Sequence, residues 1–247
     1  MTTCQRAAAR TSGFSARICA RRDAHFLSPF DGDAVIEGQA SVGVEIHDQL
    51  GRAPDIVVLL LLLLLVLPVL PVGGGGLAAG VTQFLHRAAP ATAFRFVEPS
   101  GRASLTAALQ QSQTVRLPRV KSFVDGAEVA QMGARPFAAL NGINPAHVLL
   151  APEDRICVTM PEMLNVGGIV LAPAGAMAVA VLPELAAQIA GQTIVCAKSG
   201  GNVGCERLPE VKERAQRFAG PKKYFILRMP QRPGALREFL ATPGRRG

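Results

Sequence analysis

The chain has no tryptophan, one tyrosine and five lysines, and its five cysteines and four histidines are scattered. Each shortage removes a class of explanation. The formal charge of +8 could suggest nucleic acid, but the arginines are dispersed and no aromatic residues are interleaved with them as stacking platforms. No nucleic-acid partner is expected. Cys4, Cys19, Cys157, Cys196 and Cys205 form no C-x-x-C pair, and their count is odd. That pattern indicates reduced thiols in a cytoplasmic protein. His25, His47, His86 and His147 fall at no ligand spacing, so no metal site is expected.

Acidic residues are missing from the first 22 positions, where Arg6, Arg10, Arg17, Arg21 and Arg22 stand among serines and threonines. An organelle transit peptide has this composition. The alternative is a poorly ordered stub, residues 1–22, with no part in the fold. The remaining 225 of the 247 residues suffice for one sizeable domain, or a domain plus a fragment. Alanine, valine and leucine must fill its core.

One long apolar run interrupts an otherwise ordinary chain. Ile56 to Val72 is seventeen apolar residues with a leucine homopolymer at Leu59–Leu65, and Pro68 and Pro71 sit in its last third. A membrane helix needs about twenty such residues without prolines. The run argues against a membrane span, although a membrane-associated segment is the alternative. Residues 59–69 are therefore expected to be an anomalous leucine-rich insertion that bulges from a sheet, or an error in the sequence. Exposed, each leucine would forgo roughly 1.5–3 kcal/mol of burial.

The residues just after the run carry the chemistry. Gly73-Gly74-Gly75-Gly76-Leu77 lies between a strand-like stretch and Val81–His86, which can open a helix. Consecutive glycines let backbone N–H groups approach an oxyanion, and a helix N-terminus adds favourable partial charge. The run lacks the Gly-Lys-Ser/Thr ending of a nucleoside-triphosphate loop. A second glycine-rich element, Ser199-Gly200-Gly201-Asn202, comes after the strand-like 192–198.

Between these elements the pattern alternates. Strands are expected at 24–30, 55–58, 93–97, 155–158 and 223–230. Helices are expected at 33–50, 104–111 and 209–218, with further short elements at 127–132 and 136–140. An alanine-rich helix over 174–190 is interrupted by Pro183. Alternation of this kind predicts an α/β fold with a mostly parallel sheet.

The two glycine elements together resemble the fold-type II pyridoxal-phosphate enzymes, whose domain is tryptophan synthase β-like, and among them the biosynthetic threonine dehydratases. The resemblance continues through Phe26-Leu27-Ser28-Pro29-Phe30-Asp31, Val35-Ile36-Glu37-Gly38-Gln39, Val97-Glu98-Pro99, Asp125-Gly126 and Pro173-Ala174-Gly175-Ala176, over roughly residues 16 to 240. It implies a partial catalytic domain at 23–220. Lys223–Pro230 and Gln231–Leu236 resemble the opening of an ACT-like regulatory module, truncated, at 221–247. Ala16–Ala20 resembles the family helix before the first strand, which favours the stub over a transit peptide.

By the same resemblance, Gly73, Gly74, Gly75, Gly76 and Leu77 bind the phosphate of pyridoxal 5′-phosphate, and the Ser199 hydroxyl meets its pyridine nitrogen. The alternative for Ser199 is an ordinary strand-end turn. The implied reaction is deamination of L-threonine to 2-oxobutyrate and ammonia, a step of isoleucine biosynthesis, with a small-molecule amino-acid substrate and a homo-oligomer compatible with it. The family's covalent lysine lies in Ser-Phe-Lys-x-Arg-Gly. None of Lys121, Lys198, Lys212, Lys222 and Lys223 has that context. No catalytic residue is therefore assigned, cofactor binding is expected to be non-covalent, and no turnover is expected from this chain alone. A serine dehydratase or racemase, or a non-catalytic remnant, are the alternatives. Glu98 matches an acid that some relatives use as a cation ligand, but no second carboxylate stands just after it. Asp125 is expected to be structural.

Overall fold

The computed structural model describes residues 18–19, 21–24, 27–51, 66–90, 92–118, 123–127, 129–190, 193–198 and 200–241. Helix α1 spans Asp33–Gly51, and strand β1 spans Val66–Pro71. The glycine turn leads into α2, Gly76–Ala88, followed by β2, Arg95–Pro99, and α3, Ser104–Gln111. A 3₁₀ turn at Asp125–Ala127 precedes α4, Ala134–Leu140; another at Pro145–His147 opens β3, Val148–Ala151. Then come α5 (Glu153–Gly167), α6 (Pro173–Ala180), α7 (Leu182–Ile189) and β4 (Thr193–Cys196). A 3₁₀ turn at Cys205–Arg207 leads to α8, Leu208–Phe218, and α9 is Ala235–Ala241.

All strand pairs are parallel, in the order β3-β2-β1-β4. Parallel sheets need helices on both faces, and two apolar clusters supply them. On one face Leu70 and Phe96 pack with Ile36, Val81, Leu85, Leu105 and Leu140 from α1–α4. On the other, Val97 and Ala151 pack with Ile156, Met177 and Val211 from α5, α6 and α8. Phe96 and Val97 are adjacent, so strand alternation sends them to opposite faces.

Several expected elements fall elsewhere. Residues 155–158 are helical, inside α5, and the strand is Val148–Ala151. Glu153 and Asp154 place negative charge at the helix N-terminus, and buried Ile156, Cys157 and Met160 lie on one helical face. The short window 155–158 looks strand-like only when those flanks are ignored. Val66–Val69 do not bulge: they pair with β4, from Val66↔Thr193 to Val69↔Cys196. The strand tolerates its prolines because only Val69 is in register with both neighbours; β4 pairs 66–69 and β2 pairs 69–71. Leu59–Leu65 and Asp55–Val58 lie outside the described residues, as do most of 1–22.

Among the described residues no strand forms within 24–30; instead Asp31 N–H donates to Ser28 Oγ (2.9 Å), closing a turn. Residues 129–132 are not helical. The alanine-rich helix breaks at Val181, with Pro183 in the first turn of α7. Residues 223–230 form no strand: Tyr224 to Leu227 are exposed and no described strand pairs with them. An ACT-like module is not shown. No described helix is long and apolar enough to cross a membrane.

Candidate functional site

Strand order reverses at β1. Successive strands β1, β2 and β3 step outward one way, whereas β4 returns to the other side of β1. In open parallel sheets, ligands bind beyond the carboxyl ends of the strands at such a reversal. Gly73–Gly76 follow β1 there. Because β4 runs parallel to β1 with Cys196 opposite Val69, Lys198 and Gly200 leave the sheet at the same edge. The two glycine elements, distant in sequence, thus follow the carboxyl ends of adjacent parallel strands. Ser199 itself lies outside the described residues.

The turn's shape is set by close packing. Gly75 has φ 92°, left-handed geometry that glycine adopts without a Cβ penalty. A β-carbon on Gly74 would lie 2.1 Å from Phe30 Cγ, and one on Gly73 would lie 2.7 Å from Ala127 Cα. Met132 and Pro136 close the side next to Gly75, and Gly133 N–H donates to the Gly74 carbonyl at 3.1 Å. Three segments distant in sequence therefore clamp one turn.

No described residue accepts a hydrogen bond from the N–H groups of Gly74, Gly75, Gly76 or Leu77. Gly76 and Leu77 are in the first turn of α2, whose N–H groups have no intrahelical acceptor. That turn carries no acid, and His86 and Arg87 stand in the last turn, where cations complement the helix dipole. A phosphate dianion fits this donor set. Of the lysines, Lys198 is exposed just after β4, Lys212 is on α8, and Lys222 and Lys223 come just after that helix, while Lys121 lies outside the described residues.

Two supports of the site escaped sequence reasoning. The Glu98 carboxylate is fully buried and caps α3 from the neighbouring strand. Its Oε1 accepts from Leu105 N–H (2.6 Å), and its Oε2 accepts from Thr106 N–H and Oγ1 (2.9 Å each). Burial pushes its pKa up despite these donors. Both oxygens are committed to the helix, which accounts for this acid without a cation. Among the described residues no group of three metal-ligating side chains forms. The second support is Arg207, which pairs with Asp125 and donates to the Phe123 carbonyl at 2.6 Å, its guanidinium 5.0 Å above the Phe123 ring. Asp125 is structural, as the sequence suggested: it opens the 3₁₀ turn whose Ala127 packs on Gly73.

The model of the family described as "Pyridoxal-phosphate dependent enzyme" matches residues 2–200. The chain is 38% identical over 226 residues to the biosynthetic L-threonine dehydratase IlvA of Bacillus subtilis, covering 92% of this chain and 51% of that protein. It is 40% identical over 221 residues to the Mycobacterium leprae counterpart, covering 89% and 49%. Its fold superposes on the processed form of threonine deaminase isoform 2 from Solanum lycopersicum with TM-score 0.70 and 31% identity, covering 81% of this chain and 52% of that one. The threonine deaminase of T.th. gives TM-score 0.68 at 25% identity, covering 78% and 60%. The chain spans about half the length of the curated relatives it matches. With a parallel sheet, a tightly packed glycine turn at its reversal and this breadth of similarity, the chain belongs to the pyridoxal-phosphate-dependent enzyme family.

Proposed function

We propose that this chain forms the phosphate-binding part of a pyridoxal-phosphate-dependent L-threonine deaminase and does not complete the reaction alone. The N–H donors of Gly74–Leu77, which meet no described acceptor and stand at the reversal of strand order, carry the reading. Similarity to threonine dehydratases at 38–40% identity supports threonine, rather than serine, as the amino-acid substrate. The cofactor supplies the electron sink for loss of the Cα proton and the β-hydroxyl, giving 2-oxobutyrate and ammonia after hydrolysis. The chain's own groups do simpler work. Gly74, Gly75, Gly76 and Leu77 would hold the phosphate by backbone donors, and Ser199 would face the pyridine nitrogen with a neutral hydroxyl. Such a partner does not favour a protonated nitrogen, which suits elimination, where the leaving group takes the electrons.

None of the chain's five lysines stands in the Ser-Phe-Lys-x-Arg-Gly context of the family's covalent anchor. Cofactor held only at its phosphate and ring would be bound but not positioned for proton abstraction. A cytoplasmic setting fits the unpaired thiols.

Titration of purified chain with pyridoxal 5′-phosphate, followed by borohydride reduction, intact mass measurement and a 2-oxobutyrate assay, tests this. The expected result is saturable uptake, no mass increment on any lysine and no product from L-threonine. Absence of uptake would sink the phosphate reading. Product formation would sink the claim that the chain is insufficient.

A further inference from the structure

The phosphate turn and the cap of α3 share one hydroxyl. Ser104 opens α3, is 1% exposed, and its Oγ lies 3.3 Å from Glu98 Oε1 and 3.5 Å from the Gly73 carbonyl oxygen. Glu98 sits near the end of β2 and Gly73 just after β1, so this side chain spans two adjacent strand ends. Ala103, at the cap position, offers no side-chain cap of its own. The carboxylate is fixed by its donors from Leu105 and Thr106; Ser104 alone among those donors also reaches the glycine turn.

We propose that Ser104 is a positioning residue for cofactor binding: its hydroxyl ties the Gly73 carbonyl to the Glu98-capped end of α3 and so sets the direction of the N–H groups of the turn. The proposal rests on the reading of that turn as the cofactor-phosphate site. A hydroxyl carries one proton, so two acceptors within reach share it and both separations are long. Each contact is weak, and the link contributes little to folding. Its effect on binding is larger. Several N–H groups must converge on one phosphate, and the glycines between them have no side chains to hold their orientation. A small rotation at Gly73 lengthens several donor distances together.

The test compares wild type, Ser104→Ala, Ser104→Thr and Thr106→Val, full chain throughout. Dissociation constants for pyridoxal 5′-phosphate come from its absorbance, and unfolding temperatures from thermal melts without cofactor. Thr106→Val removes a hydroxyl bond to the same carboxylate without touching Gly73. Loss of one positioning hydrogen bond corresponds to about a fivefold weakening. Ser104→Ala should show about that loss with a melting shift no larger than that of Thr106→Val. Ser104→Thr should recover binding, and Thr106→Val should stay within about twofold of wild type.

Equal weakening by Ser104→Ala and Thr106→Val would show that only the helix cap matters and would overturn the proposal. So would wild-type affinity in Ser104→Ala. A wild type that takes up no cofactor overturns the phosphate reading and this proposal with it, an outcome distinct from both. Should Ser104→Ala fail to fold, Ser104→Cys, with a much weaker donor of similar size, carries the same comparison.

Discussion

Gly74→Ala should damage the glycine turn after β1 by steric overlap. The added β-carbon would stand 2.1 Å from Phe30 Cγ and 2.4 and 2.6 Å from its two Cδ atoms. Carbon atoms in contact favour about 3.5–4.0 Å, so the overlap exceeds an ångström. The ring is struck at its base, and rotation about its own axis gives no relief. Either Phe30 leaves its rotamer or the turn retreats from it. Retreat strains the 3.1 Å bond from Gly133 N–H to the Gly74 carbonyl. Overpacking of this kind costs about 1–3 kcal/mol. Denaturant unfolding should show that loss, and a cofactor titration should show affinity reduced by about tenfold or more, because the donors move together. Phe30→Ala added to Gly74→Ala should restore part of the stability, giving a coupling beyond additivity. Wild-type stability and affinity in Gly74→Ala, or strict additivity in the double variant, would refute the packing argument.

Three other perturbations probe the supports. Glu98→Gln places an amide where both oxygens now accept backbone N–H groups, so one N–H faces a donor; the expected cost is about 1–3 kcal/mol by denaturant unfolding. Because burial raises the folded pKa of Glu98 above 4.5, its titration contributes stability at low pH that is lost as pH rises through the raised value. The gap between wild type and Glu98→Gln should therefore narrow with rising pH, and a gap that widens would contradict the direction. Burial, opposed by nearby Arg214, pushes the Cys157 thiol up to about 12 from 9.0, whereas Cys205 is exposed. Peptide-mapped alkylation of native protein at neutral pH should label Cys205 and spare Cys157, and the contribution of Cys157 to stability should hold below pH 9 and fade towards 12. Arg207→Lys keeps the charge but loses the paired donation to Asp125 and the Phe123 carbonyl, with the stacking on the ring; it should lose about 1–2 kcal/mol of stability, and an unchanged denaturation midpoint would mean solvent screens the pair.

The sequence makes the glycine turn before α2 legible because its pattern is local. Four glycines before a helix need no distant partner to be read as a donor-rich turn, and Gly73–Gly76 stand where that reading puts them. Helix α3 was legible to the residue, 104–111, since its pattern is unambiguous over two turns. Failures occurred where a short window was compatible with both periodicities. Arg155–Val158 reads as a strand by residue type and is helical because its acidic flank and buried partners say so. Lys223–Pro230 reads as a strand by propensity, yet among the described residues no neighbouring strand pairs with it. Strand formation is a property of pairs, and half of a pair cannot be read from one segment. The clamp on the turn was invisible for the same reason: Phe30, Ala127 and Pro136 touch the glycines only after the sheet has formed.

Glu98 shows why a motif match and a site differ. In sequence it is an acid after a strand, matching a cation ligand of some relatives. In the fold its two oxygens already accept three N–H or O–H donors within 3 Å, two of them from the backbone of α3. A cation bound there would face the positive ends of those amides as well as the carboxylate, and the helix would lose its cap. The carboxylate is thus spent on holding α3 against the strand end from which Ser104 reaches Gly73. What the sequence presented as a lone candidate ligand is the cap of α3, whose first residue, Ser104, reaches the Gly73 carbonyl.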